Sequence, residues 1–130
     1  MNLVKKRRAI LFAPKTNSMA SLTEFLEMKG FDVFVPDDLE AGLAEHGKES
    51  FQLAIIEEGY KSLSASLVVQ ELLKVSWATN SIIITDKNED QLHEQTEGLG
   101  ILGAMKDVDD FKRLEELLAT LNNILGWENN

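Results

Sequence analysis

Cysteine is absent from this chain of 130 residues. That absence excludes disulfides, thiolate nucleophiles and cysteine metal centres together, and it accords with a reducing compartment. A cytoplasmic location is the resulting expectation. Proline occurs twice, and no repeat, low-complexity segment or interdomain linker interrupts the chain. Positive charge is scarce: 13 Lys and Arg face 22 Asp and Glu, a formal net charge of -9. Such a field opposes attraction to phosphate backbones, so nucleic-acid binding is not expected. No apolar run approaches the roughly 20 residues of a membrane helix. The opening "MNLVKKRRAILFAP" lacks the sustained apolar stretch and small-residue cleavage site of a signal peptide. What remains is 44% hydrophobic residues in a length suited to one domain, residues 1–130, with a real core.

Charge-bearing residues outside any pattern read as surface. The basic run Lys5, Lys6, Arg7 and Arg8 directly precedes the first apolar segment and is expected to be solvated flanking charge rather than a polyanion site. His46 and His93 stand apart from any metal-ligand spacing and are expected at the solvated surface, with no metal site and no cofactor. Tyr60 and Trp77 read as packing or surface aromatics. Trp127, between Gly126 and a polar end, either folds back onto the last helix or stays exposed as a partner anchor.

Short apolar runs alternate with helical periods. "AILFAP" (9–14), "DVFVP" (32–36), "LAII" (53–56), "SIIIT" (81–85) and "ILGAM" (101–105) have strand length and composition. Between them, Met19, Leu22 and Leu26 share a helical face before Gly30, with Ser21 and Glu24 at capping-box spacing. Asp38 is placed to cap a second helix carrying Leu39 and Leu43 and ending near Gly47. Val69, Leu72, Leu73 and Trp77 mark a third helical face, and "EDQLHEQTEGLG" a weakly apolar fourth. Phe111, Leu114, Leu117, Leu118, Leu121, Ile124 and Leu125 define a fifth, from Asp110 to Gly126.

Five strands alternating with five helices predict an α/β fold: a doubly wound parallel sheet, order 2-1-3-4-5, covered by helices on both faces. Burial on both faces explains why the strands are continuous apolar runs. Sites in such sheets form beyond the carboxyl ends of the strands. The residues to read are therefore Pro14 and Lys15, Asp37 and Asp38, Glu57 and Glu58, Thr85 and Asp86, and Lys106 and Asp107.

At this point the chain resembles, over nearly its whole length, the receiver domain of two-component response regulators. "FQLAIIEEG" resembles that family's third strand and puts Glu57 at the phospho-acceptor position. "SIIITD" resembles the fourth and puts Thr85 at the switch hydroxyl. "LGILGAMKDVDDFKRLEELL" resembles the fifth strand and last helix, with Lys106 at the active-site lysine. "DDLEAGL" resembles the start of the second helix.

Four departures from the family pattern fall on five positions. The metal-binding acidic pair is replaced by Pro14 and Lys15, and the acceptor aspartate by Glu57. The aromatic switch position in the fifth strand falls on Gly103, and the proline after the lysine on Asp107. The resemblance therefore implies a pseudo-receiver: a non-enzymatic, protein-interaction domain in signalling, docking partners through roughly residues 90–125, with homodimerisation left open. Two poses are open for Lys15. It turns inward with Lys106 to neutralise Glu57 and Asp86 in a closed polar network, or it projects into solvent. The bland alternative is that Glu57, Thr85 and Lys106 are ordinary strand-end residues. Two other functions stand beside the pseudo-receiver. One is a working phospho-acceptor with an atypical pocket. The other is a flavodoxin-like flavin binder using the loop "APKTNSMA", which lacks glycine and loses an amide donor at Pro14.

Overall fold

The computed structural model describes residues 7–127. In chain order it contains β1 (Arg7–Phe12), α1 (Asn17–Met28), β2 (Phe31–Phe34), α2 (Leu39–Lys48) and β3 (Leu53–Glu57). A single 3-10 turn, Tyr60–Ser62, precedes α3 (Ala65–Val75), β4 (Asn80–Ile84), α4 (Glu89–Thr96), β5 (Ile101–Met105) and α5 (Phe111–Leu125). The strands form one parallel sheet in the expected order β2-β1-β3-β4-β5.

Side-chain alternation along the strands divides the core into two layers. Ala9 and Leu11 of β1, Ile55 of β3 and Ile82 of β4 pack with Leu22 and Leu26 of α1 and with Leu114, Leu117 and Leu121 of α5. Ile10, Phe12, Ala54, Ile56 and Ile83 face the other way, onto Val68, Val69 and Leu72 of α3 and Leu92 of α4. Each fully buried Leu, Ile or Val contributes roughly 1.5–3 kcal/mol relative to exposure, so no strand can turn a face to water cheaply. α2 packs closest where Gly42 meets Phe12: a Cβ at Gly42 would lie 2.7 Å from the Phe12 ring. Phe25 of α1 stacks on Phe111 of α5 at 4.8 Å and ties the helices of the first layer together.

All five helices start with a side-chain cap. Thr16, Asp38, Ser64, Asn88 and Asp110 each accept a backbone N–H from three residues on. Asp38 acts as expected. The first helix starts earlier than Ser21, at Thr16, while the Ser21 hydroxyl donates to the Asn17 carbonyl inside the helix. The third helix ends at Val75, so Trp77 does not join its buried face and is 86% exposed.

His46 overturns its expectation most clearly. It is 2% exposed. Its Nδ1 accepts the Phe51 N–H at 3.1 Å, which leaves the proton on Nε2, 3.2 Å from the Leu72 carbonyl that accepts it. The Thr79 hydroxyl lies 3.3 Å from the same nitrogen and donates to the Phe51 carbonyl at 2.9 Å. One imidazole thus joins α2, the start of β3, α3 and the segment before β4, at the end of the sheet away from the strand carboxyl ends. The basic run also departs from solvation. Arg8 is buried, ion-paired to Glu45 at 3.6 Å and stacked 4.2 Å over the Phe51 ring, and donates to the Glu49 carbonyl. Arg7 lies 4.5 Å over Trp127, which folds back edge-on to Phe31 of β2. Lys5 and Lys6 lie outside the described residues.

Burial, with the Arg8 charge nearby, pushes the His46 imidazole below its ordinary value of 6.5. A base with a depressed folded-state value contributes stability that is complete above its unfolded value and is lost as pH falls through 6.5 toward the lowered folded value. Urea unfolding from about pH 8 to about pH 5 should show this acid-side loss in the wild-type chain and in His93→Gln, whose histidine is exposed, and a flattened profile in His46→Gln. An unchanged slope in His46→Gln would remove His46 as the cause.

The two helices that flank β5 differ in anchorage. α5 buries four leucines, whereas α4 has eight residues and places Leu92 and Thr96 inward. Native-state hydrogen exchange should therefore be faster over residues 89–96 than over 111–125. Equal protection would contradict the assignment of α4 as the least anchored helix.

Candidate functional site

Because each helix follows a strand and runs back along the sheet, every helix N-terminus lies at the edge where the strands end. Polar residues on that edge are partly consumed by capping, including the Thr16 hydroxyl in the loop after β1. What capping leaves is the candidate site.

Glu57 is the last residue of β3, paired in register with Ile84 of β4, and is half-buried. With Pro14, Thr16, Lys106, Asp107 and Asp109 it lines an open cleft of about 580 Å³. Glu57 and Lys106, brought together by the ends of β3 and β5, thus share one space. Among the described residues no ion pair joins them. Three carboxylates and one ammonium make this cleft acidic.

Lys15 takes the outward pose. Its ammonium pairs with Asp37 at 2.5 Å, both side chains largely exposed, in a neighbouring cleft lined by Tyr60 and Lys61. The hydrogen bond from Lys15 and its charge hold the Asp37 carboxyl below its ordinary value of 3.8. The closed network of Lys15 and Lys106 around Glu57 and Asp86 is therefore not formed. Asp86 is exposed and lines neither cleft. Glu58 turns back as a structural acceptor: its Oε1 takes the Ala65 N–H at 3.3 Å, while its own N–H donates to the Ile84 carbonyl at 2.9 Å.

The loop that follows is wound left-handed. Gly59 (φ 86°), Lys61 (φ 51°) and Ser62 (φ 65°) all have positive φ, a conformation unfavourable for the latter two. Hydrogen bonds from Ser62 to Gly59 and from Leu63 to Tyr60 hold it, and the buried Tyr60 ring packs edge-on to Phe12 at 5.7 Å. Burial raises the Tyr60 hydroxyl above its ordinary value of 10.0, so it stays neutral.

Thr85 does not face the Glu57 cleft. It is buried, its N–H donates to the Met105 carbonyl at 2.8 Å, and its hydroxyl accepts the Lys87 N–H at 3.2 Å. It lines a separate pocket of about 280 Å³ with Lys87, Ala104, Lys106 and Arg113. Lys106 borders both spaces. The space beside Gly103 is not vacant: a Cβ there would lie 2.7 Å from Leu117 Cδ2 and 2.9 Å from Arg113 Nη2. Arg113 Nε donates to the Ala104 carbonyl at 3.1 Å, which fixes the guanidinium across β5. Sequence reasoning missed Arg113, Asp109 and Thr16 as site residues. The only trace of Arg113 was a glycine at a strand position with an arginine ten residues later, a pattern with no local meaning.

The donor set fits a divalent ion poorly. Magnesium is held by carboxylate and water oxygens in near-octahedral array. After β1 the chain offers the Pro14 ring and the Lys15 ammonium, and the acids of the cleft come from β3 and the loop after β5.

No protein-family model and no curated protein matches the sequence. The fold, by contrast, matches solved structures. A CheY-like response regulator receiver domain from Methanospirillum hungatei superposes with a TM-score of 0.74 at 20% identity, covering 92% of this chain and 96% of that one. A two-component response regulator from Clostridium difficile gives 0.73 at 19%, covering 96% and 100%, and a receiver domain from Clostridium thermocellum 0.76 at 15%, covering 92% and 97%. A Burkholderia pseudomallei response regulator with a phosphorylated aspartic acid and a calcium ion gives 0.71 at 14%, covering 93% and 72%. The chain has the receiver fold.

Refilling the fifth-strand aromatic position should not be neutral. Gly103→Tyr forces Leu117 and Arg113 aside and is expected to lower unfolding stability by roughly 1–3 kcal/mol, the usual range for overpacking. Denaturant midpoints measure it, and an equally stable variant would show that the space beside Gly103 is freely yielded.

Proposed function

We propose that this chain is a receiver-like signalling domain that acts by binding protein partners and does not itself take a phosphoryl group. The observation that carries the reading is the Pro14 and Lys15 pair beyond β1, with the Lys15 ammonium committed to Asp37. Phosphoryl transfer to a carboxylate concentrates negative charge, which proteins neutralise chiefly with a positioned metal and cationic groups. Here the Glu57 cleft holds two further carboxylates and a single lysine. An incoming phosphate meets repulsion with no metal ligands positioned to offset it. Glu57 serves on this reading as a fixed polar group, not as a phosphate mimic, since Thr85 faces away from it and Arg113 stands where the aromatic switch would move.

The proposed partners are proteins, docking on roughly residues 90–125, and homodimerisation remains an alternative use of the same surface. Net charge of -9 argues against nucleic acid as a ligand of this domain. Among the described residues no helix is long and apolar enough to cross a membrane; a cytoplasmic setting is part of the proposal. The reading includes no catalytic role and no cofactor. The flavin alternative is weakened by the loop after β1, which lacks glycine and loses an amide donor at Pro14.

Incubation with acetyl phosphate and magnesium, read by intact mass, tests this. Wild type and Glu57→Asp should stay unmodified. A triple variant, Pro14→Asp, Lys15→Asp and Glu57→Asp, restores carboxylate oxygens and reverses the local charge, and should gain one acyl phosphate with release of acetate. A phosphate adduct on the wild-type chain would establish a working receiver instead.

A further inference from the structure

We propose that His46 is a proton-operated latch: its protonation releases the C-terminal part of α2 and the connection to Phe51, while the sheet and the other helices stay packed. The inference is independent of the Glu57 cleft, which lies at the other end of the sheet.

The hydrogen bonds of the ring carry it. A backbone N–H can only donate and a carbonyl can only accept, so the Phe51 N–H at 3.1 Å fixes Nδ1 as an acceptor and the Leu72 carbonyl at 3.2 Å fixes Nε2 as a donor. Nδ1 is therefore where an incoming proton must go. Once it is protonated, two donors face each other across the bond that joins α2 to Phe51.

No opposite charge offsets that proton. From β1 the ring meets Arg8, a cation stacked on the same Phe51 ring as His46. The acids beside it are engaged: Glu45 and Glu49 pair with Arg8 at 3.6 and 3.8 Å, and Lys48 lies 3.7 Å from Glu45. From α3 comes the Leu72 carbonyl, while Glu71 and Lys74 of that helix pair with each other at 2.9 Å. The segment before β4 adds the neutral Thr79 hydroxyl. Among the described residues no carboxylate pairs with His46. An imidazolium shut from water beside another cation is expelled to solvent, and it carries its helix with it.

Little else holds α2. Its fully buried residues are Gly42 and His46, with Leu39 and Leu43 only partly covered. By contrast α1, α3 and α5 each bury at least three apolar side chains. Loss of the His46 contact leaves a glycine as the buried anchor, so opening stays local to α2. The imidazole lies below its ordinary 6.5, so the latch is shut at neutral pH and opens as pH falls below that value.

Native-state hydrogen exchange of the whole chain at about pH 7.5 and about pH 5, expressed as protection factors, tests this. Protection over residues 43–48 and at Phe51 should fall at least about tenfold more than over β1, β3 and α5. Imidazole nitrogen shifts of the wild-type chain supply a second readout: Nδ1 of His46 should be an unprotonated acceptor at neutral pH, and its protonation should share a midpoint with the loss of α2 protection. In His46→Asn, which keeps a side-chain acceptor but cannot take up a proton, the selective fall should vanish. A uniform fall across all elements would show global unfolding and overturn the proposal. So would α2 protection that survives protonation of His46, or a selective fall that persists in His46→Asn.

Discussion

A parallel sheet buried on both faces is the constraint from which the rest of this molecule follows. Its strands exchange hydrogen bonds only with neighbours in the sheet, and their side chains alternate between two layers that must both be dry. Leu11, Ile55 and Ile82 on one side, and Phe12, Ile56 and Ile83 on the other, fill the middle of the strands with apolar side chains. Charge is thereby driven to the ends of the sheet. At one end it becomes structure, and at the other it becomes the candidate site.

At the end where the strands begin, His46 and Arg8 are buried and paired. His46 spends both ring nitrogens on backbone groups of other elements, and Arg8 is enclosed by Glu45, Glu49 and the Phe51 ring. Such groups lock the packing of α2 and α3 because leaving any of them unpaired inside the protein costs about 1–3 kcal/mol. The end where strands finish is different. There the helix caps fix the loops, and Glu57, Lys106, Asp107 and Asp109 remain around an open cleft.

Two replacements change what that cleft can do relative to the receiver architecture it shares. A lysine beyond β1 is drawn to Asp37, away from Glu57, and so brings no second ammonium to the acidic cleft. An arginine from α5 fills the space beside Gly103 and is hydrogen-bonded to the adjacent backbone.

Strand and helix positions and the strand-end residues were legible in the sequence, because periodicity and capping act over a few residues, whereas the strand order was an expectation taken from the doubly wound fold class. The runs at 53–56 and 101–105, the Asp38 cap and the leucines of α5 all lie where local pattern put them. Local pattern also placed Glu57 and Lys106 at one edge, since strand direction alone carries them there. Only the tertiary structure decided which of those groups meet. His46 was assigned to solvent because its partners, Leu72 and Thr79, are 26 and 33 residues away. Lys15 chose Asp37 across 22 residues, and Arg113 reached the space beside Gly103 because α5 packs back over β5. The physical reason is common to all three: a long side chain's direction is set by hydrogen bonds and charges that folding brings near it, and none of these is encoded in the residues beside it.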